Sequence, residues 1–288
     1  MNNTAVIIFA FCREKSLQSL LKSIQDNDKF MQYPYYFFID GPRDKSDEEK
    51  IAKVSKIVED FSVPKKTIIK SKKNQGLANS IILGVNEVSR SYEQFIVLED
   101  DLMLDKNFLD FMKGSLEHFK SDKKVVNISG FSNLILNETN NENYYLSKRS
   151  TSWGWASWSS KWSLVNFDNY KNASLKDYIL LFLISPDLPF MLRNQFQNKI
   201  NSWAIRLVLH QAQNKLFSVT PINSYVLNQG DDNFATNVDF IFQRKKRLTN
   251  KLSKFKKLSM PQPIVGLYKW FFDLYLYLRR LVLRLIAK

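Results

Sequence analysis

Cysteine and histidine are almost missing from this chain. Cys12 is the single thiol in 288 residues, so no disulfide can close within it, which fits a reducing compartment. The two histidines, His118 and His210, lie far apart, and no Cys/His zinc site can be assembled from them. The eight glycines form neither a GxGxxG nor a GxxxxGK(S/T) pattern, which excludes the dinucleotide fingerprint and the P-loop. The apolar run at residues 5–11 is too short to span a bilayer. It lacks a basic leader and a small-residue cleavage site, and reads as a buried strand, not a signal. No internal repeat is present. With 44% hydrophobic and 24% charged residues, the chain is globular and long enough for one large domain, or one domain plus an appendage.

What is present alternates between two periods. Residues 4–11 are β-rich and apolar; Leu17, Leu20, Leu21 and Ile24 then recur at helical spacing, with Ser16 placed to cap. Residues 35–39 predict a second strand, stopped by Asp40-Gly41-Pro42. Ser46 and Glu49 form a capping-box pattern before a helix carrying Ile51, Val54, Ile57 and Phe61. Residues 66–70 and 94–98 predict strands three and four. Between them lie the turn Asn74-Gln75-Gly76 and a helix marked by Leu77, Ile81, Val85 and Val88. Phe108, Phe111, Met112 and Phe119 mark a further helix. The second half is less regular. Residues 137–143 form a polar loop, residues 175–184 and 200–213 predict helices, and residues 215–227 short strands. Strand–helix alternation predicts an α/β fold with a mostly parallel sheet covered by helices. Ligands of such sheets bind beyond the carboxyl ends of the strands. Arg13, Asp40 and the pair Asp100-Asp101 follow strands one, two and four, so three strand ends deliver charge to one edge.

Glu99-Asp100-Asp101 is the strongest local signal. Adjacent carboxylates at a buried strand end repel one another, and a divalent cation relieves that repulsion. Mg²⁺ or Mn²⁺ is typically held by one or two carboxylates plus substrate phosphates. The competing reading is a solvated acidic turn ahead of a helix N-terminus. Arg13 is placed to grip a diphosphate, and Asp40 to accept hydrogen bonds from a base or ribose; each is also an ordinary surface or turn residue type. Four of six tryptophans fall in residues 153–162, where Trp155, Trp158 and Trp162 share a helical face. Flat rings suit sugar C–H faces, but core packing accounts for three of the four. Gly154 permits close backbone approach in a turn lining a pocket. The acidic turn Asn228-Gln229-Gly230-Asp231-Asp232-Asn233 supplies a candidate general base or is simply a loop.

A series of motifs then runs in order. It comprises Phe11-Cys12-Arg13, Ile39-Asp40-Gly41, Asn74-Gln75-Gly76-Leu77 and Val97-Leu98-Glu99-Asp100-Asp101 followed by Phe108. Trp153-Gly154-Trp155-Ala156-Ser157-Trp158 and Asn201-Ser202-Trp203-Ala204 complete it. The series, over roughly residues 4–237, resembles bacterial polysaccharide glycosyltransferases distantly similar to N-acetylglucosaminyltransferase I. The resemblance implies a GT-A fold, with Arg13 on the diphosphate and Asp40 on the uracil or ribose. It makes the triplet a DxD-like motif, with Glu99 and Asp100 near the nucleotide and Asp101 on Mn²⁺ or Mg²⁺. Asn74 and Gln75 join the donor side; Trp153, Gly154, Trp155 and Trp203 the acceptor or pocket side. Asn228, Gly230, Asp232 and Thr236 match a family segment of the form N-x-G-x-D-x-x-x-T, although Asn237 stands where such segments often end in histidine. The animal enzymes' base aspartate has no counterpart in Asn201-Ser202-Trp203, which makes Asp232 the candidate base.

Charge is concentrated at the end of the chain. From residue 244 onward there are 13 basic residues and one acid, Asp273, a net +12 of the total +14. Residues 244–257 carry eight basic residues and no acid; Pro261 and Pro263 follow, then an apolar and aromatic stretch. There Lys269, Asp273, Arg280, Arg284 and Lys288 recur in steps of 4, 7, 4 and 4, too many charges for a spanning helix and well suited to an in-plane amphipathic one. An anionic membrane surface is favoured over nucleic acid as its partner, with a partner-binding helix as a third reading. The expectation is therefore a GT-A domain over residues 1–243 and a membrane-associating tail over residues 244–288. It would be a cytoplasmic, peripheral, inverting hexosyl- or N-acetylhexosaminyltransferase using a nucleotide-sugar, foremost a UDP-sugar. Its acceptor would be a glycan or lipid-linked glycan in capsule or O-antigen synthesis. A sugar nucleotidyltransferase would need a Gly-rich, Lys-bearing N-terminal loop, and Phe11-Cys12-Arg13-Glu14 has no glycine. A non-catalytic adaptor is the rival from another class.

Overall fold

The computed structural model describes residues 3–132 and 143–229, with seven helical positions between 267 and 278. β1 (Thr4–Ala10) is buried along its whole length and pairs in parallel with β2 (Tyr35–Ile39) on one side and β4 (Gln94–Glu99) on the other. β3 (Lys66–Lys70) extends the parallel half beyond β2. On the far side of β4, the antiparallel β8 (Trp155–Trp158) leads to β6 (Val125–Ser129), β9 (Phe217–Pro221) and β7 (Tyr144–Ser147). The order of the eight-stranded sheet is β3-β2-β1-β4-β8-β6-β9-β7. A second, two-stranded ladder joins β5 (Leu102–Leu104) to β10 (Val226–Asn228).

Alternation along β1 shows how the sheet is covered. Val6, Ile8 and Ala10 share a core with α1 (Glu14–Gln25), α2 (Lys45–Asp60) and α4 (Phe108–His118). Ala5, Ile7 and Phe9 point the other way, onto Ala78, Ile81, Val85 and Val88 of α3 (Leu77–Ser89) and Trp203 and Leu207 of α8 (Trp203–Asn214). The period of two along a strand thus produces two apolar layers, each closed by helices. The expected class, an α/β fold with a largely parallel central sheet flanked by helices, is what the chain adopts. Beyond it, α5 (Ser159–Trp162) follows β8, while α6 (Leu175–Ile184) and α7 (Leu188–Phe196) pack with α8 around Leu181, Leu188, Leu192 and Leu209.

Local signals were misplaced in three instances. α1 begins at Glu14, so Ser16 lies inside its first turn and does not cap it. α2 is capped by Asp44, whose carboxylate accepts the Ser46 N–H at 2.8 Å; an acid two residues earlier takes the role assigned to Ser46. Residues 155–158 are a strand between β4 and β6, because pairing on both edges outweighs the helical spacing of the rings. Trp155 and Trp158 therefore face opposite layers instead of sharing one helical face.

Candidate active site

Three neighbouring parallel strands end at one edge, and the backbone ties their extensions together. The Asp40 N–H donates to the Ala10 carbonyl and the Asp100 N–H to the Phe9 carbonyl, both at 3.0 Å, so β2 and β4 flank the exit of β1. The Phe11 N–H donates to Asp100 Oδ2 at 3.0 Å, which pins that carboxylate across the end of β1. Arg13, at the start of α1, lays Nη1 2.6 Å from Asp101 Oδ2 and 3.4 Å from Asp100 Oδ1. Its side chain stays 40% exposed, while the two carboxylates are buried. Arg13, Asp100 and Asp101 are thus brought together, as the strand-end reading expected.

The carboxylates are not fully satisfied by protein. Asp101 Oδ1 is buried and has no hydrogen-bond partner. Glu99 keeps some exposed surface, but burial of its carboxyl, with Asp101 and Asp100 beside it, pushes the group up to about 8 against the lowering pull of Arg13. An orphaned carboxylate oxygen next to a second acid that resists ionising is a donor set that suits a hard divalent cation completed by phosphate oxygens. Among the described residues, no group of three or more His, Cys, Asp or Glu side chains forms a metal cage. Any ion here would therefore rely on one or two carboxylates and its ligand.

Asp40 reaches the same edge but faces the backbone. Its Oδ1 accepts the N–H groups of Gly41 and Gln75, each at 2.9 Å, and its Oδ2 accepts that of Gly76 at 3.0 Å. Asn74 closes the brace by donating Nδ2–H to the Gly41 carbonyl at 3.0 Å. Gly76 is the N-cap of α3 with φ +73°, a conformation that side chains disfavour, and space around its Cα is open. The turn therefore delivers the N-terminus of α3 to the edge. The sequence reading placed Asp40, Asn74 and Gln75 on the donor side without seeing that Asp40 holds the backbone of Gln75 and Gly76 while Asn74 is tied to Gly41. It also missed Arg43, whose guanidinium lies over the Phe11 ring at 5.0 Å while forking onto Asp47 at 2.8 and 2.9 Å. The Asp-Gly-Pro-Arg stretch after strand two was its only signal.

The aromatic residues divide. Trp155 is fully buried and Trp203 3% exposed; their rings stack at 4.8 Å in the core. Read as pocket residues from the sequence, both are placed in the core, with the Trp155 face used against Trp203 of α8. Trp153 is only partly buried and meets Phe131 edge-on at 4.4 Å. Gly154, at φ +56°, lets Val226 and Phe108 crowd its backbone; a Cβ there would lie 2.8 Å from Val226 Cγ1. Through β10 this packing steers the following segment to the acidic edge, where the Gln229 N–H donates to the Asp101 carbonyl at 2.7 Å. Asp232, three residues further, lies outside the described residues, as do residues 244–257 of the basic run.

Fold and site together define an α/β protein that gathers Arg13 and four acids, Asp40, Glu99, Asp100 and Asp101, at the carboxyl edge of its parallel strands. No protein-family model matches the sequence, and no curated protein does. Among solved structures, the chain is similar to a mannosyltransferase from Pyrobaculum calidifontis solved with GDP-Man and Mn²⁺, with 12% identity and a TM-score of 0.39, covering 54% of this chain and 44% of that one. It is similar to residues 1–349 of S. aureus TarS in complex with UDP-GlcNAc, with 13% identity and a TM-score of 0.41 over 82% of this chain and 63% of that one. It is also similar to a cytidylyltransferase from Leptospira borgpetersenii, with 9% identity and a TM-score of 0.40 over 85% and 84% of the two chains. The chain thus spans less than two thirds of the mannosyltransferase and of the TarS chain.

Proposed function

We propose that this chain is a metal-dependent glycosyltransferase that moves a sugar from a nucleotide-diphosphate donor to a hydroxyl of a glycan. The observation that supports the reading best is the buried, unpartnered Asp101 Oδ1 at the end of β4, beside an arginine that remains open to solvent. Asp101 would hold Mn²⁺ or Mg²⁺, with Glu99 and Asp100 on the nucleotide side. Such an ion, when bound, supplies positive charge for the departing diphosphate. Arg13 adds a charge-assisted hydrogen bond to the same phosphates, strongest as negative charge develops on them. Asp40 positions Asn74, Gln75 and the α3 N-terminus, whose free N–H groups favour an anionic ligand. Asp232 accepts the proton of the acceptor hydroxyl as its oxygen bonds to the anomeric carbon and the bond to the diphosphate breaks, with inversion. Trp153 and Gly154 lie on the acceptor side of this scheme.

In this reading residues 1–243 form the catalytic domain and residues 244–288 hold it on the inner face of the cell membrane, with no nucleic-acid partner. The donor is foremost a UDP-sugar carrying a hexose or N-acetylhexosamine, and the acceptor a lipid-linked glycan of a capsule or O-antigen. The test offers the full chain UDP-, GDP-, CMP- and dTDP-sugars with Mn²⁺ and, separately, nucleoside triphosphates with sugar 1-phosphates. Mn²⁺-dependent release of the nucleotide from a nucleotide-sugar, abolished by EDTA, is the expected result. Pyrophosphate release from the second mixture alone would make the chain a nucleotidyltransferase. No turnover in either would return it to the adaptor class.

A further inference from the structure

Large apolar side chains collect on the outer surface of α6. On α6, Leu175, Ile179, Phe182 and Leu183 are 77%, 53%, 47% and 68% exposed, at a spacing that sets them along one helical face. The helix turns only Leu181 and Asp177 fully inward. Beside it lie helical residues described between 267 and 278. The Trp270 indole N–H donates to the Phe182 carbonyl at 2.8 Å, and Tyr277 stacks on Phe190 of α7 at 5.4 Å. That packing half-buries Trp270, Leu274 and Tyr277 and leaves Leu267, Phe271, Tyr275 and Leu278 at least 50% exposed. Their steps of four, four and three form a second outward stripe beside the first.

We propose that α6 and the segment from 267 to 278 form one composite apolar face that seats on an anionic lipid surface, so that the body of the protein as well as its tail touches the bilayer. The inference rests on the tail-anchoring reading above and extends it to α6. Charge selects the occupant. Residues 244–257, which lead into the second stripe, carry eight basic residues and no acid, and the chain beyond residue 243 carries a net +12. Anionic headgroups complement that charge. A second copy of this chain would bring an equal positive charge against it. Each stripe is exposed on one side of residues that pack inward on the other, a pattern that suits helices lying in the interface plane.

The test compares the full-length protein with two double variants, Ile179→Glu/Leu183→Glu on α6 and Leu267→Glu/Phe271→Glu on the tail. Each is sedimented with phosphatidylcholine vesicles containing or lacking phosphatidylserine. Each variant should lower partitioning onto the anionic vesicles by about tenfold or more, with the thermal unfolding midpoint and donor hydrolysis unchanged, because all four side chains are exposed. If the α6 variant binds like the wild type while the tail variant is released, the composite face is wrong and tail anchoring stands. If both variants bind like the wild type, tail anchoring fails as well. If the α6 variant instead dissociates a wild-type dimer and leaves vesicle binding intact, the face belongs between copies of the chain and the proposal is overturned.

Discussion

Replacing Asp40 with asparagine removes a charge and converts one acceptor into a donor. An asparagine can keep the Gly41 and Gln75 N–H groups on its oxygen, but it then sets its own N–H against that of Gly76. Flipped, it keeps one hydrogen bond and breaks two. A hydrogen bond to a charged acceptor is worth about 1.5–3 kcal/mol and a neutral one about 1 kcal/mol. Breaking one hydrogen bond outright and reducing two to neutral strength costs about 3–5 kcal/mol, and removing a poorly solvated charge returns part of it. A net loss of about 2–4 kcal/mol lowers the unfolding midpoint of a domain this size by roughly 5–15 °C. Thermal denaturation followed by circular dichroism measures it. Donor affinity should fall in parallel, because the turn carrying Asn74, Gln75 and Gly76 comes loose. An unchanged midpoint with collapsed donor affinity would refute the reasoning: Asp40 would then contact the donor directly instead of bracing the turn.

Three further substitutions separate the remaining roles. Asp101→Asn should abolish Mn²⁺ binding in calorimetry and Mn²⁺-dependent transfer, while the unfolding midpoint moves little, because the weakened pair with Arg13 is offset by removing charge from the buried, unpartnered Oδ1 side; undiminished transfer, or wild-type turnover in excess EDTA, removes the metal from the scheme. Arg13→Ala should weaken nucleotide-sugar binding roughly 10- to 100-fold, the worth of one charged hydrogen bond to phosphate, and an unchanged dissociation constant takes Arg13 out of the site. Asp232→Asn should lower kcat by about 10²- to 10⁴-fold with little change in donor affinity; if kcat survives, another group deprotonates the acceptor.

The centre of the parallel half was legible because β1, β2 and β4 are short, continuous apolar runs followed by charge. β1, β2 and β4 need no partner information to be seen, and their ends announce Arg13, Asp40 and Asp100. What stayed hidden depends on pairings far apart in sequence. The β5–β10 ladder joins three-residue segments more than 120 residues apart, and neither has a pattern of its own. Trp155 and Trp158 sit at helical spacing, yet β4 and β6 claim both edges of their backbone. The bracing role of Asp40 was illegible for a similar reason. A carboxylate after a strand looks the same whether it meets a nucleotide or the backbone of a turn 35 residues later. Arg149, which forks onto Asp187 at 2.7 and 2.9 Å, is another pairing that no local pattern foretold.

In the proposed scheme, Arg13 and a divalent cation would make competing claims on the same carboxylates, and that competition is measurable. The guanidinium lies 2.6 Å from Asp101 Oδ2, while Oδ1 of the same group is buried without a partner. A donor diphosphate that draws Arg13 onto itself takes positive charge from Asp101 and adds negative charge beside it. Leaving a buried carboxylate unpaired is strongly destabilising, commonly by about 3–5 kcal/mol, so one arginine cannot serve both groups. The donor and the cation should therefore bind better together than apart. In the absence of donor, Arg13 occupies the place where the cation's charge is wanted. Removing it by Arg13→Ala should then tighten Mn²⁺ binding to the nucleotide-free protein while weakening donor binding, two effects of opposite sign from one substitution. Paramagnetic resonance titration of free Mn²⁺ against wild type and variant reads the first without any turnover. Weaker or equal Mn²⁺ binding in the variant would mean that Arg13 supports the carboxylates for some purpose other than holding the cation's place.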